Sequence, residues 1–79
     1  MQPEQIKALI EKNLLLSTAY VTGDGAHFNA IVICDAFLNQ SPLERQRAVY
    51  SSVHPHIQNG AIHALSIKAY TPSEYEAQA

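Results

Sequence analysis

The stretch Ala61-Ile62-His63-Ala64-Leu65-Ser66-Ile67-Lys68-Ala69-Tyr70-Thr71-Pro72-Ser73-Glu74 decides how this chain is built. Apolar residues alternate through it, so a strand is expected over Ala61 to Tyr70, with His63, Leu65, Ile67 and Ala69 on one face. Thr71-Pro72 breaks the pattern, and Pro72 suits the first position of a short C-terminal helix. A strand that follows a helical region reaches its sheet by a crossover, and can therefore pair in parallel with an earlier strand. The same stretch sets an imidazole among apolar neighbours.

Working back from it, Gly60 is placed to end a helix. Ser41-Pro42-Leu43-Glu44 starts one: Ser41 can cap, Pro42 fits the first turn, and Glu44 can close a capping box. That helix is expected to run to Tyr50 or Ser51. A second, shorter helix is expected after Ser52, where Pro55 would fall in a tolerant first turn. Phe37 to Gln40 reads as a loop in which Asn39 can adopt positive φ. His27 to Ala36 reads as a strand, with Phe28, Ala30, Val32 and Cys34 on one face and Ile31 and Ile33 on the other. Apolar residues on both faces predict a central, covered strand.

Gly23-Asp24-Gly25 supplies a turn, and before it Ala19 and Val21 alternate with Tyr20 and Thr22 as the first strand. Ile6, Leu9, Ile10 and Leu14 line one face of an opening helix, with Pro3 and Glu4 at its start and Lys12 near its end. The predicted order is α-β-β-α-α-β-(α). It makes an α+β domain spanning residues 1–79, with a three-stranded mixed sheet and helices on one face.

Composition narrows the function. A chain of 79 residues buries only about 60% of its unfolded-state surface, so its stability margin is small. Cys34 is the only cysteine, which suits a reducing compartment, and the N-terminus carries no secretory pattern, so a cytoplasmic location is expected. No apolar run is long enough to span a bilayer. Five permanent cations face seven carboxylates, which argues against strong nucleic-acid binding through phosphates. No phosphate loop, nucleophile elbow or dinucleotide fingerprint is present, and no apolar carboxylate pair suggests acid–base work, so an enzyme is not expected.

The histidines carry the remaining chemistry. His54 and His56 are two apart, which places them on different faces of a helix. Strand parity sets His63 beside Leu65 and Ile67, where it reads either as a satisfied core histidine or as a ligand. His27 follows the Gly23–Gly25 turn and reads as a surface turn histidine. Cys34 shares parity with Phe28, Ala30 and Val32, and reads as a small buried hydrophobe.

Taken together, Ser41-Pro42-Leu43, Arg45-x-Arg47-x-Val49-Tyr50, His63-Ala64-Leu65 and Tyr70-Thr71-Pro72-x-Glu74 resemble the signature of the BolA family. Gly23-Asp24-Gly25-x-His27-Phe28 is similar to its short-loop, acid-stress-associated bacterial branch. Three positions depart from the pattern: Asn39 replaces a usual glycine, Gln46 a frequent histidine, and Tyr75 a usual tryptophan. The resemblance implies a class II KH-like fold, the element order reached above from periodicity and caps. It also implies that His63 is the ligand offered to a [2Fe–2S] cluster shared with a monothiol glutaredoxin and its glutathione.

Within that resemblance the second ligand comes from the loop between the first two strands. There His27 is preferred over Asp24, because imidazole suits iron better than carboxylate does. Each imidazole would bind in its neutral form, so acid is expected to weaken the complex. No cofactor is expected in the isolated chain, which would be a monomer or a weak homodimer. Arg45, Arg47 and Lys68 are candidates for contact with the partner or with nucleic acid; the arginines read equally as a solvated face. A nucleic-acid-binding regulator of the stress response is the rival reading, although the Gly-x-x-Gly loop of KH domains is missing.

Overall fold

The strand His27–Ile33 (β2) lies at the centre of the sheet in a computed structural model that describes residues 1–78. On one side β1 (Thr18–Gly23) pairs with it antiparallel, from Thr18↔Ile33 to Gly23↔Phe28. On the other side β3 (Ala64–Tyr70) pairs in parallel, from His27↔Ala64 to Ile33↔Tyr70. Between β2 and β3 run a 3-10 turn (Asp35–Phe37) and the long helix α2 (Pro42–Gln58); α1 (Pro3–Asn13) opens the chain and α3 (Pro72–Gln78) follows β3. This is the α+β, mixed-sheet, KH-like arrangement expected, with no cis peptide bond among the described residues.

Alternation along the strands gives the sheet one apolar face. Ala19, Phe28, Ala30, Val32 and Leu65 point to it, and α1 and α2 cover it with Ile6, Ile10, Val49 and Val53. The other face carries the opposite parity. At its far end Tyr75 of α3 stacks on Tyr20 and tilts against Tyr70, with ring centroids 6.3 and 5.8 Å apart. The two long helices thus share one face as expected, while α3 reaches over the opposite one.

The two middle helices expected from the sequence are a single helix of 17 residues, with Pro55 inside it. The missing N–H of a proline interrupts one bond of the ladder. Val49 and Val53 at i and i+4 are fully buried, and Ile57 at i+8 packs on the same core, so tertiary burial carries the helix through the break. Its start is as read: the Ser41 hydroxyl accepts from the Glu44 N–H, and the Glu44 carboxylate accepts from the Ser41 N–H. Two strand boundaries shift. β2 ends at Ile33, and β3 begins at Ala64 rather than Ala61. Asn39 takes the expected positive φ, 66°.

Both edges of the sheet are closed by helix side chains. On β1 the Ala19 N–H donates to Glu11, and the Ala19 carbonyl accepts from Lys7, two residues that are themselves paired at 2.7 Å. The Lys7 ammonium first, and the Ala19 N–H second, hold the Glu11 carboxyl below its ordinary value. On β3 the Tyr50 hydroxyl donates to the Leu65 carbonyl, and Arg45 donates to the Ala69 carbonyl. Exposed edges invite association, and these contacts blunt them.

Arg45 does more than cover an edge. Its guanidinium also donates to the Gln40 carbonyl, lies 5.7 Å from the Phe37 ring and grips both Glu74 oxygens at 2.6 and 3.2 Å. Glu74 in turn closes the capping box of α3, accepting from the Thr71 N–H while its own N–H donates to the Thr71 hydroxyl. One side chain thereby fastens the 3-10 turn, α2, β3 and α3. Arg45→Met is expected to cost about 2 kcal/mol, mostly from carbonyls left without donors, read as a lower urea midpoint with an unchanged slope.

The same pair gives the fold an acid limit. The Arg45 guanidinium, followed by the Thr71 N–H, lowers the Glu74 carboxyl from 4.5 to about 2. A depressed carboxyl contributes stability above its unfolded value, and that contribution is lost as pH falls from about 4.5 towards 2. Glu74→Gln should flatten that part of the stability–pH curve in urea titrations. A residual slope should persist, because Glu11 and Asp24 are depressed in the same direction.

Candidate functional site

The loop between β1 and β2 is organised by one carboxylate. Asp24 Oδ1 accepts from the N–H groups of Ala26 and His27 at 3.0 and 2.9 Å, while the Asp24 N–H donates to the His27 carbonyl. The His27 N–H, then that of Ala26, holds the Asp24 carboxyl below its ordinary value. Gly25 supplies the positive φ, 100°, that lets the chain reverse. His27 emerges from this turn with an exposed ring, its Nδ1 4.0 Å from Asp24 Oδ2.

His63 meets the same loop from the other side. Its N–H and that of Ala64 both donate to the Ala26 carbonyl, at 3.0 and 3.3 Å. His27 is paired in register with Ala64. The backbone of His63 is therefore laced directly beside Ala26-His27. Its ring is exposed and makes no hydrogen bond among the described residues.

Strand parity placed His63 with Leu65 on the apolar face; the structure places it outside. Gly60 turns the chain at φ 82°, and the Ile62 N–H donates to the His56 carbonyl, so Ile62 drops into the core and His63 faces outward. The regular alternation starts only at Ala64. A core histidine is excluded by this geometry.

The corner thus holds two exposed imidazoles on adjoining backbone. Among the described residues no group of three or more His, Cys, Asp or Glu side chains could hold a metal ion. Imidazole nitrogen is a donor type that iron and [2Fe–2S] centres accept, and a metal held at this corner would need further ligands from outside the described residues.

The other candidates lie apart from this corner. Cys34 is buried at the opposite end of β2, with its Sγ 3.9 Å from the Leu15 carbonyl, so it takes the expected core position. Arg45, expected on a partner-facing or solvated surface, is turned inward and committed to Gln40, Ala69 and Glu74. Arg47 is exposed and unpaired among the described residues; Lys68 is exposed on the open face of the sheet. His54 is exposed on α2, while His56 flanks a shallow groove with Met1, Leu9 and Lys12. The organising part of Asp24 was missed in the sequence. An Asx residue three before a strand's first histidine, between two glycines, is the signal that could have shown it.

Comparison with known proteins agrees with the fold and the motifs. The family described as "BolA-like protein" matches residues 4–74. The chain is 37% identical over 75 residues to the acid stress protein IbaG of Escherichia coli K12, covering 95% of this chain and 89% of that protein. It is 41% identical over 76 residues to the uncharacterized protein BU385 of Buchnera aphidicola, covering 96% and 95%. Among solved structures, a bolA protein homologue from Coxiella burnetii superposes with a TM-score of 0.87 at 45% identity, covering 96% of this chain and 97% of that one.

Proposed function

The chain belongs to the BolA-like family, and on that premise we propose that it is a partner of a monothiol glutaredoxin, with which it carries a shared [2Fe–2S] cluster as cargo. The purpose of the complex is iron–sulfur trafficking or the sensing of iron and stress. One observation carries this reading. His63 presents a free ring at the start of β3, beside His27, with its backbone fixed by the Ala26 carbonyl.

In this arrangement the chain's part is to present and orient two neutral nitrogens. The fixed backbone limits each ring to rotation about its own side-chain bonds, which preorganises the donors. Asp24 holds the turn that carries His27, and the Ala26 carbonyl holds the start of β3 that carries His63. The partner and its glutathione supply thiolates. Replacing thiolate with imidazole on one side of a [2Fe–2S] cluster removes negative charge and raises its reduction potential.

The test is direct. Cluster-loaded monothiol glutaredoxin is titrated with this chain, reduced, and examined by pulsed electron paramagnetic resonance with ¹⁴N- and ¹⁵N-histidine protein. Nitrogen couplings that change with the label of this chain support the reading. A spectrum identical to that of the glutaredoxin alone refutes it. No helix among the described residues is long and apolar enough to cross a membrane.

A further inference from the structure

The open face of the sheet carries a second feature next to the histidine corner. Phe28, Ala30 and Leu65 point into the core, so the alternate residues His27, Asn29 and Ile31 of β2 and Ala64, Ser66 and Lys68 of β3 point to the other side. In register, Asn29 stands opposite Ser66, and Ile31 opposite Lys68. A depression of about 190 Å³ opens there, lined by Asn29, Ala30, Ile31, Ser66 and Lys68.

Its polar lining has one character. Asn29 brings an amide NH₂, Ser66 a hydroxyl and Lys68 an ammonium, and all three can donate. None of these side chains makes a hydrogen bond or ion pair among the described residues, and Asn29, Ser66 and Lys68 are exposed. Two carboxylates are committed elsewhere: Asp24 of the β1–β2 loop to the N–H groups of Ala26 and His27, and Glu74 of α3 to Arg45 and the Thr71 N–H. A cation beside a pair of neutral donors, with no ion-pair partner among the described residues, is a site for an external anion.

We propose that Asn29, Ser66 and Lys68 form a subsite for a carboxylate. A single ammonium compensates a single negative charge, and two flanking donors suit two carboxylate oxygens. A phosphate, with nearly twice the charge, would be left half-compensated. The position fits a partner seated on the histidine corner: Asn29 is two residues from His27 along the same strand and face, about 7 Å at strand rise. The site itself stands on this geometry; that the carboxylate comes from a glutaredoxin or its glutathione rests on the function proposed above.

Two arms separate those sources. In the first, ¹⁵N-labelled apo-protein is titrated with reduced glutathione, and with inorganic phosphate at equal ionic strength. In the second, its affinity for glutathione-free monothiol glutaredoxin is measured for the parent, Lys68→Gln and Lys68→Glu. Saturable shifts confined to Asn29, Ile31, Ser66 and Lys68 with glutathione, weaker with phosphate and abolished by Lys68→Gln, assign the site to the tripeptide. Silence there, with about tenfold weaker glutaredoxin binding for Lys68→Glu and a shallower salt dependence, assigns it to an acidic side chain of the partner. Tighter response to phosphate, or no effect in either arm, overturns the subsite. Both arms are run on apo-protein without iron and read Asn29, Ser66 and Lys68, so failure of the subsite and failure of the shared cluster are distinguished.

Discussion

His63→Ala should empty the complex of its cluster while leaving the chain folded. The His63 ring makes no hydrogen bond among the described residues and is exposed, so its truncation is expected to change unfolding free energy by no more than about 0.5 kcal/mol. On the proposed function, the cluster would lose a direct ligand. Changes to groups that merely support a metal ligand commonly cost 10–100-fold, so loss of the ligand itself should lower heterocomplex loading by roughly a hundredfold or more. The measurement is visible absorption per iron in the complex isolated after co-expression with a monothiol glutaredoxin. His27→Ala is expected to fall between His63→Ala and the parent: Asp24 holds the turn through backbone N–H groups, so the loop survives the truncation. Unchanged absorption and stability for His63→Ala would sink the ligand assignment.

The sharp contrast between stability and loading expected at His63 follows from geometry that was only partly legible in the chain. Local chemistry was readable at the start of α2 and at Asn39, though not at Asp24. Ser41 and Glu44 cap α2 reciprocally as their spacing foretold, and Asn39 takes the positive φ assigned to it. The alternation in β2 predicted which of its side chains are buried. The reading failed where distant partners decide. Pro55 looked like a helix boundary, but Val49, Val53 and Ile57 bury one stripe across it. Arg45 looked like a surface cation until Glu74, 29 residues on, closed around it.

His63 itself was misplaced by one parity step. Extending the alternation of β3 back through Ala61 treats three residues as strand that are loop. Their conformation is fixed by Gly60 and by the bond from Ile62 to the end of α2, neither of which follows a period of two. The shift matters chemically, since it converts an inward-facing imidazole into an outward one. The family resemblance pointed to His63 as the ligand; the loop leaves its ring exposed.

Gly23→Ala should be the most damaging single-methyl change near the site, although Gly23 holds no ligand. A Cβ built there would collide with Phe28 Cδ1 and lie 2.6 Å from the His27 carbonyl oxygen. Neither neighbour can give way cheaply. Phe28 is 2% exposed and packed in the core, and the His27 carbonyl is bonded to the Asp24 N–H. Relief requires the end of the β1–β2 hairpin to spread, which moves the Ala26-His27 segment relative to His63 and Ala64. An overpacking cost of roughly 2–3 kcal/mol is expected, a large share of the margin of so small a chain. Gly25→Ala provides the comparison. Its φ of 100° strains any side chain, but nothing lies within 4 Å of the added carbon, so about 1 kcal/mol is expected from backbone conformation alone. Urea unfolding of the two variants, with cluster loading measured on the fraction that remains folded, separates the effects. Gly23→Ala should lose both stability and loading, because the carbon it adds pushes on the strand that aims His27. Equal stability for Gly23→Ala and the parent would show that the hairpin end has room to move, and that His27 is not held by the packing described.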